Sequence, residues 1–318
     1  MEKFTSAFPS ALNSKFFFQF SPPLGSAFMG QQVSVPGLSC CTERQDPKPS
    51  SNQPGRSIVS NGPVPDIATR FDSAVRSKDL MELVKLLSSN HKLGKDVAAT
   101  QHPWSDQPQT IGALAAVHLA VLANDPDIRV RLRAAGAIPV LVQFLNPSNS
   151  RDRVHSAVVA LSFITVDNDD NCREVYRCGG LPLLVPLIGA EPEGLRFASS
   201  SVCRNLYCKN RNARDEFVNL GGVKMMVNLL NYQPSRSSDT SYMDGIYETV
   251  SNLRDLLEAD TTSNDSGGRL VKRAVKDGVA SALSVIQTEC QDDEIKQEAS
   301  TLSSQISKFL QSSVGRSA

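Results

Sequence analysis

The feature that most constrains this 318-residue chain is that part of it aligns on itself. Three segments share one pattern: Ala134-Ala135-Gly136-Ala137-Ile138-Pro139-Val140-Leu141-Val142, Arg177-Cys178-Gly179-Gly180-Leu181-Pro182-Leu183-Leu184-Val185 and Asn219-Leu220-Gly221-Gly222-Val223-Lys224-Met225-Met226-Val227. Gly136 and Gly179 are 43 residues apart, Gly179 and Gly221 are 42 apart. A fourth copy, Lys276-Asp277-Gly278-Val279-Ala280, puts Asp277 on the Gly221 position after 56 residues, the excess being taken up by polar insertions. A period of this length marks a stack of supersecondary units, none of which can bury its own apolar face alone.

Each part of the unit has a physical reason. A glycine between two helical patterns permits positive φ and a sharp turn. Pro139 and Pro182 then fit the first turn of the next helix, where a missing N–H costs nothing. Apolar residues recur at helical spacing from Ile67 onward, as in Leu80, Leu83, Val84 and Leu87. One unit therefore reads as short helix, glycine corner, second helix and an amphipathic third helix. The third helices are expected at Ile111–Ala123, Arg153–Thr165, Leu195–Tyr207, Asp244–Leu257 and Glu294–Leu310. The break from His91 to Thr110 is long and holds Trp104, a candidate anchor for a partner. The polar runs Gln233–Thr240 and Asp260–Gly268 read as freely moving surface insertions.

This unit resembles the armadillo repeat, in which a Gly-Gly-Leu-Pro-like corner precedes an apolar second helix and the third helix ends in a Leu-x-Asn-Leu-like run. Cys203-Arg204-Asn205-Leu206 and Val250-Ser251-Asn252-Leu253 keep that ending; Val121, Phe163 and Gln305 replace asparagine elsewhere. The resemblance covers about Ile67 to Phe309 and implies an all-α, right-handed superhelical solenoid of about five three-helix repeats, residues 66–312. The two-helix HEAT solenoid is the alternative fold. Membership implies a concave groove, lined by the third helices, that binds a protein or extended peptide. Asn205 and Asn252 would hold the guest's backbone, helped by Ser201, Arg204 and Glu248. Import receptors of the family carry Trp where this chain has Ser201 and Glu248, so nuclear localisation signals are not the expected guests. Arg196, Arg204, Lys209, Arg211 and Arg214 form a run of positive charge without an acid between them, which suits an acidic or phosphorylated segment. The plainer alternatives are that these cations lie on a solvated outer face, and that Asn205 bonds one repeat to the next.

Other chemistries find no foothold. Lys+Arg and Asp+Glu are equal at 33 each, so the bulk charge favours no nucleic acid. No apolar run is long enough to span a bilayer as a helix. The seven cysteines are odd in number, and neither the Cys172/Cys178 nor the Cys203/Cys208 gap is a zinc spacing. They read as small apolar side chains in a reducing compartment. Gly94-Lys95 is followed by Asp96 and lacks the loop glycine of a phosphate cradle, the four histidines are not spaced as helix metal ligands, and no serine sits in a nucleophile elbow. No cofactor, metal or catalytic residue is expected, and an enzyme or regulatory subunit is a remote alternative.

The first 65 residues lack helical period and are rich in Pro, Ser, Gly and Asn, as is expected of disorder. Residues 1–28 hold seven of the thirteen phenylalanines, including Phe16-Phe17-Phe18, and read as a leader or as sequence upstream of the true start. Met29-Gly30-Gln31-Gln32-Val33-Ser34 then satisfies the pattern for amine acylation of Gly30, provided that Gly30 is exposed by initiation or cleavage. Cys40 and Cys41 follow within the 29–65 segment and would supply the second acyl group that stable anchoring needs. The order of acylation motif, spacer and repeats is similar to that of armadillo-only proteins tethered to organelle surfaces. Residues 313–318 are expected to be a disordered tail. The function expected is a non-catalytic adaptor, cytoplasmic and peripheral on a cytosolic membrane face. The alternative is a soluble armadillo scaffold of a ubiquitin-ligase or cytoskeletal complex.

Overall fold

The computed structural model describes residues 66–93, 109–261 and 268–314. Among them the chain forms fifteen α-helices and two short 3-10 turns, with no strand. The first repeat comprises α1 (Ile67–Ser77), α2 (Leu80–Leu87) and α3 (Ile111–Leu122). The second comprises α4 (Pro126–Ala134), α5 (Ala137–Phe144) and α6 (Arg151–Ile164). The third comprises α7 (Asp169–Arg177), α8 (Gly180–Leu184) and α9 (Glu193–Lys209). The fourth is α10 (Arg211–Asn219), α11 (Gly222–Leu229) and α12 (Thr240–Thr261), and the fifth is α13 (Arg269–Lys276), α14 (Val279–Glu289) and α15 (Asp293–Val314). Three helices per unit rule out the two-helix alternative, and α15 runs two residues beyond the expected end of the domain.

The boundaries follow from side-chain chemistry. Asp79, Thr110, Asn168 and Asn210 each accept a hydrogen bond from a first-turn backbone N–H of the helix that follows, satisfying donors that have no partner within the helix. Pro126 opens α4 where no N–H is needed. Pro186 cannot donate to the carbonyl four residues before it, and α8 gives way to a 3-10 turn at Val185–Gly189. The corners of repeats two to five are Gly136, Gly179, Gly221 and Gly278, with φ of 76°, 74°, 82° and 97°. Gly278, not Asp277, therefore occupies the Gly221 position. Asp277 ends α13 instead, accepting a 2.9 Å bond from Arg273 Nε. In the first repeat Lys78 takes the left-handed corner, at φ 53°.

The third helices α3, α6, α9, α12 and α15 pack in series, each against its neighbours, and one continuous apolar core runs beneath them. At the first junction α3 approaches α2 so closely that a Cβ on Gly112 would stand 2.2 Å from the Leu87 carbonyl oxygen. The ends of the His91–Thr110 break are fixed. Leu93 N–H donates to Gln109 O and Ile111 N–H to His91 O, both at 2.9 Å. From α6, Arg153 donates to Ser89 O (2.7 Å) and Asp152 accepts from Gln109 N–H (3.0 Å). Trp104 lies outside the described residues.

The polar insertions are better anchored than their composition suggests. Arg236 bonds Glu193 (2.7 Å) and Asp239 (2.6 Å) and lies 4.2 Å over the Tyr242 ring, while Tyr242 Oη accepts from Gln233 N–H at 2.7 Å. Cation–π stacking and two carboxylates thus pin the Gln233–Thr240 run to α9 and α12. At the other insertion Asp260 is buried and accepts a 3.0 Å bond from Leu270 N–H in the first turn of α13.

Candidate protein-binding surface

A third helix offers residues at three- and four-residue spacing to the face it does not bury. On α9 that stripe holds Ser201, Arg204, Asn205 and Cys208; on α12 it holds Asp244, Glu248, Asn252 and Asp255. Adjacent helices bring the two stripes together. Asn205 donates from Nδ2 to Thr165 Oγ1 at the end of α6 (3.0 Å), and Asn252 donates from Nδ2 to Ser200 Oγ on α9 (3.0 Å). Tyr207 Oη, fully buried, donates to the Asn252 carbonyl at 2.8 Å. Both asparagines therefore join a repeat to the one before it.

No family model matches the chain. Among solved structures it is similar to ARO (armadillo repeats only protein) from Plasmodium falciparum, at 31% identity over 76% of this chain and 98% of that one, with a TM-score of 0.68. The chain belongs to the armadillo-repeat family. A designed armadillo repeat protein matches at 18% identity and TM-score 0.55, over 74% of this chain and 85% of that one. Another, solved in complex with the peptide (KR)4, matches at 18% and 0.54, over 74% and 84%. These last two likenesses are of fold. The armadillo architecture supports a protein-binding scaffold.

Within this armadillo solenoid the candidate site residues divide. Ser201 and Asn205 are half-buried on the third-helix stripe, and Asn205 spends its side-chain Nδ2 on Thr165 Oγ1. Asn252 is only 2% exposed, so it is a correction to the expected groove set: α9 and α12 close over it, and its amide is engaged by Ser200. Arg204 Nε donates to Asp255 Oδ2 at 2.7 Å, 51 residues away in sequence. Arg254 continues the chain of charge, meeting Asp255 at 3.4 Å and Glu298 on α15.

The apparent positive run is largely neutralised by carboxylates just outside it, by Asp255 or by carbonyls. Arg196 pairs with Glu191 and Glu193, Arg211 stands 4.0 Å from Asp215, and Arg214 donates to the Tyr207 and Cys208 carbonyls at 2.9 and 3.3 Å. Lys209 is exposed. Cations already hydrogen-bonded to carboxylates give little reason to expect an acidic guest here, because such a guest would have to displace those partners.

Glu248, expected on the groove face, is half-buried on α12. Burial pushes its carboxyl up to about 7; the Arg204 guanidinium pulls it back, and Asp244 and Asp255 push it further up. The thiols are of the opposite kind. Burial holds Cys172 at about 12 and Cys208 at about 11, and Cys203 higher still, so they stay protonated and behave as packing groups. Among the described residues no three His, Cys, Asp or Glu side chains are grouped to hold a metal, and no helix is long and apolar enough to cross a membrane. Gly30, Cys40 and Cys41 lie outside the described residues.

Proposed function

We propose that this armadillo protein is a non-catalytic adaptor, held to a cytosolic membrane face by acylation of Gly30 and of Cys40 or Cys41, and recruiting a protein partner along its third-helix face. The unbroken series of third helices carries the recruiting half of this reading, because such a series offers one long surface to an extended segment. The sequence Met29-Gly30-Gln31-Gln32-Val33-Ser34 with its two nearby cysteines supports the anchoring half. One myristoyl chain gives only marginal binding, so both signals are required.

Metabolic labelling with an alkyne myristate, in a chain begun at Met29, tests the anchor. Label is expected on the parent and not on Gly30→Ala, and unlabelled parent would remove the anchor from the function. For the recruiting face, Ser201→Tyr puts bulk on the half-buried α9 stripe. Partner capture is expected to fall at least about fivefold with the melting temperature held; undiminished capture would move recruitment to another face.

A further inference from the structure

The fifth repeat carries a charge pattern that the third-helix face does not use. Helix α13 reads Arg269-Leu270-Val271-Lys272-Arg273-Ala274-Val275-Lys276, and it divides lengthwise. Leu270, Val271 and Ala274 are buried where α13 packs on α11, α12 and α14, while Arg269, Lys272, Arg273 and Lys276 are all exposed. Those four stand at i, i+3, i+4 and i+7, which sets them on one side of the helix along about 11 Å of its axis. The carboxylates that meet them are few. Arg269 pairs with Asp215 on α10, Asp215 also stands 4.0 Å from the exposed Arg211, and Arg273 Nε donates to Asp277 at 2.9 Å. Five cations thus share two carboxylates, and Lys272 and Lys276 pair with no acid among the described residues. Arg204 and Arg214, by contrast, are half-buried on their partners.

We propose that the exposed side of α13, with Arg211 beside it, is a docking surface for an anionic lipid bilayer. This deepens the anchoring half of the reading above and rests on a membrane being the protein's setting, but not on its acyl groups. The side of a helix is convex, and cations one turn apart along it match a plane of headgroups, where each adds its own attraction. Lysine suits such a plane, being a point charge without the planar fork that reads one carboxylate bidentately. Arg269 and Arg273 can join Lys272 and Lys276, because their side chains are 57% and 44% exposed and surface ion pairs hold them weakly. The apolar residues of α13 are turned into the core, so the contact is electrostatic and no ring or branched side chain enters the bilayer. A basic patch and an acyl chain are each marginal alone and stable together. No residue of the stripe belongs to the third-helix face, so docking leaves the recruiting surface open.

The test uses the full chain without acyl groups, sedimented at about 0.05 M salt with vesicles of phosphatidylcholine, either alone or with about 30% phosphatidylserine. The chain is expected to sediment with the serine-containing vesicles only, and to be released by about 0.5 M salt. Lys272→Gln with Lys276→Gln should weaken that partition about ten- to thirtyfold. Lys209→Gln with Lys308→Gln, the same charge change at exposed positions of α9 and α15, should leave it within about threefold. Both pairs lie on the surface, so Tm should hold in each. Equal losses in the two variants would reduce the effect to net charge and overturn the proposal, as would equal sedimentation with the two kinds of vesicle. A fluorescein-labelled peptide alternating Glu with Ala gives the rival outcome: its binding, lost in the α13 variant while the parent ignores serine-containing vesicles, would make this a surface for an acidic protein segment and overturn the bilayer. Vesicle binding by a chain that takes no myristate label would uphold α13 and remove the acyl anchor. Label on Gly30 without vesicle binding by the unacylated chain would do the reverse.

Discussion

The junction between α3 and α6 and the junction between α9 and α12 occupy equivalent places in the stack and are built from different chemistry. The first is closed with small and branched apolar residues, Ala115, Ala116, Val117 and Ala120 from α3 and Ala157, Val158, Val159 and Ala160 from α6, all buried. Its charged residues Asp152 and Arg153 are turned to the backbone of the first repeat. The second is held by Asn252 on Ser200, Tyr207 on the Asn252 carbonyl and Arg204 on Asp255. At the position that is Val117 and Val159 in the first two repeats, the next two have Ser201 and Glu248. The same helical scaffold is thus a packing seam at one end and a polar surface toward the other, and specificity is to be sought where burial and polarity coincide.

Four substitutions test that division, in decreasing order of effect. Gly112→Ala should cost about 3 kcal/mol or more, measured by denaturant unfolding, because the new methyl meets backbone oxygens of Leu87 and Ser89 that cannot swing aside. A loss below about 1 kcal/mol would mean that α3 is loosely packed against the end of α2. Asn252→Ala should cost about 1–3 kcal/mol, since the Ser200 hydroxyl loses its donor and a buried space opens; a neutral result would place the stability of the polar junction in its arginines. The corners supply the smallest effect, and one of opposite sign in the first and second repeats. Gly136→Ala should destabilise by about 1–2 kcal/mol through positive φ alone, since nothing lies within 4 Å of the added Cβ. Lys78→Gly, at φ 53° in the first repeat, should stabilise by about 0.5–1 kcal/mol. Equal signs would show that the first corner is not strained as the others would be with a side chain.

Much of the fold was legible before any coordinates. Gly136, Gly179 and Gly221 advertised their corners because only glycine takes that φ without a penalty, and the five third helices lie within a few residues of where their apolar period puts them. The fourth corner was displaced by one residue: Asp277 and Gly278 both suit a helix end, and only the backbone angle separates them. The first corner escaped notice because Lys78 carries no such signature. Composition misled at Gln233–Thr240, where a polar string conceals a stack of Arg236 on Tyr242 and a pair with Glu193 that is 43 residues away. The site was legible as a stripe of residue types, Ser201, Arg204, Asn205 and Glu248, but not as a set of occupied and unoccupied groups.

The amino-acid order by itself determined what is local: helix period, capping side chains, the residues with positive φ, and hence the repeating three-helix unit. Tertiary structure alone decided that Asn252 is enclosed, that Arg204 is paired with Asp255, and that Glu248 sits half-buried in the field of Arg204, Asp244 and Asp255. The physical reason is the offset between neighbouring third helices. Residues that touch across a junction lie 40 to 52 positions apart, and which side chain meets which depends on the lengths of every loop between them and on how closely two helices approach, neither of which is written in any single stretch of chain.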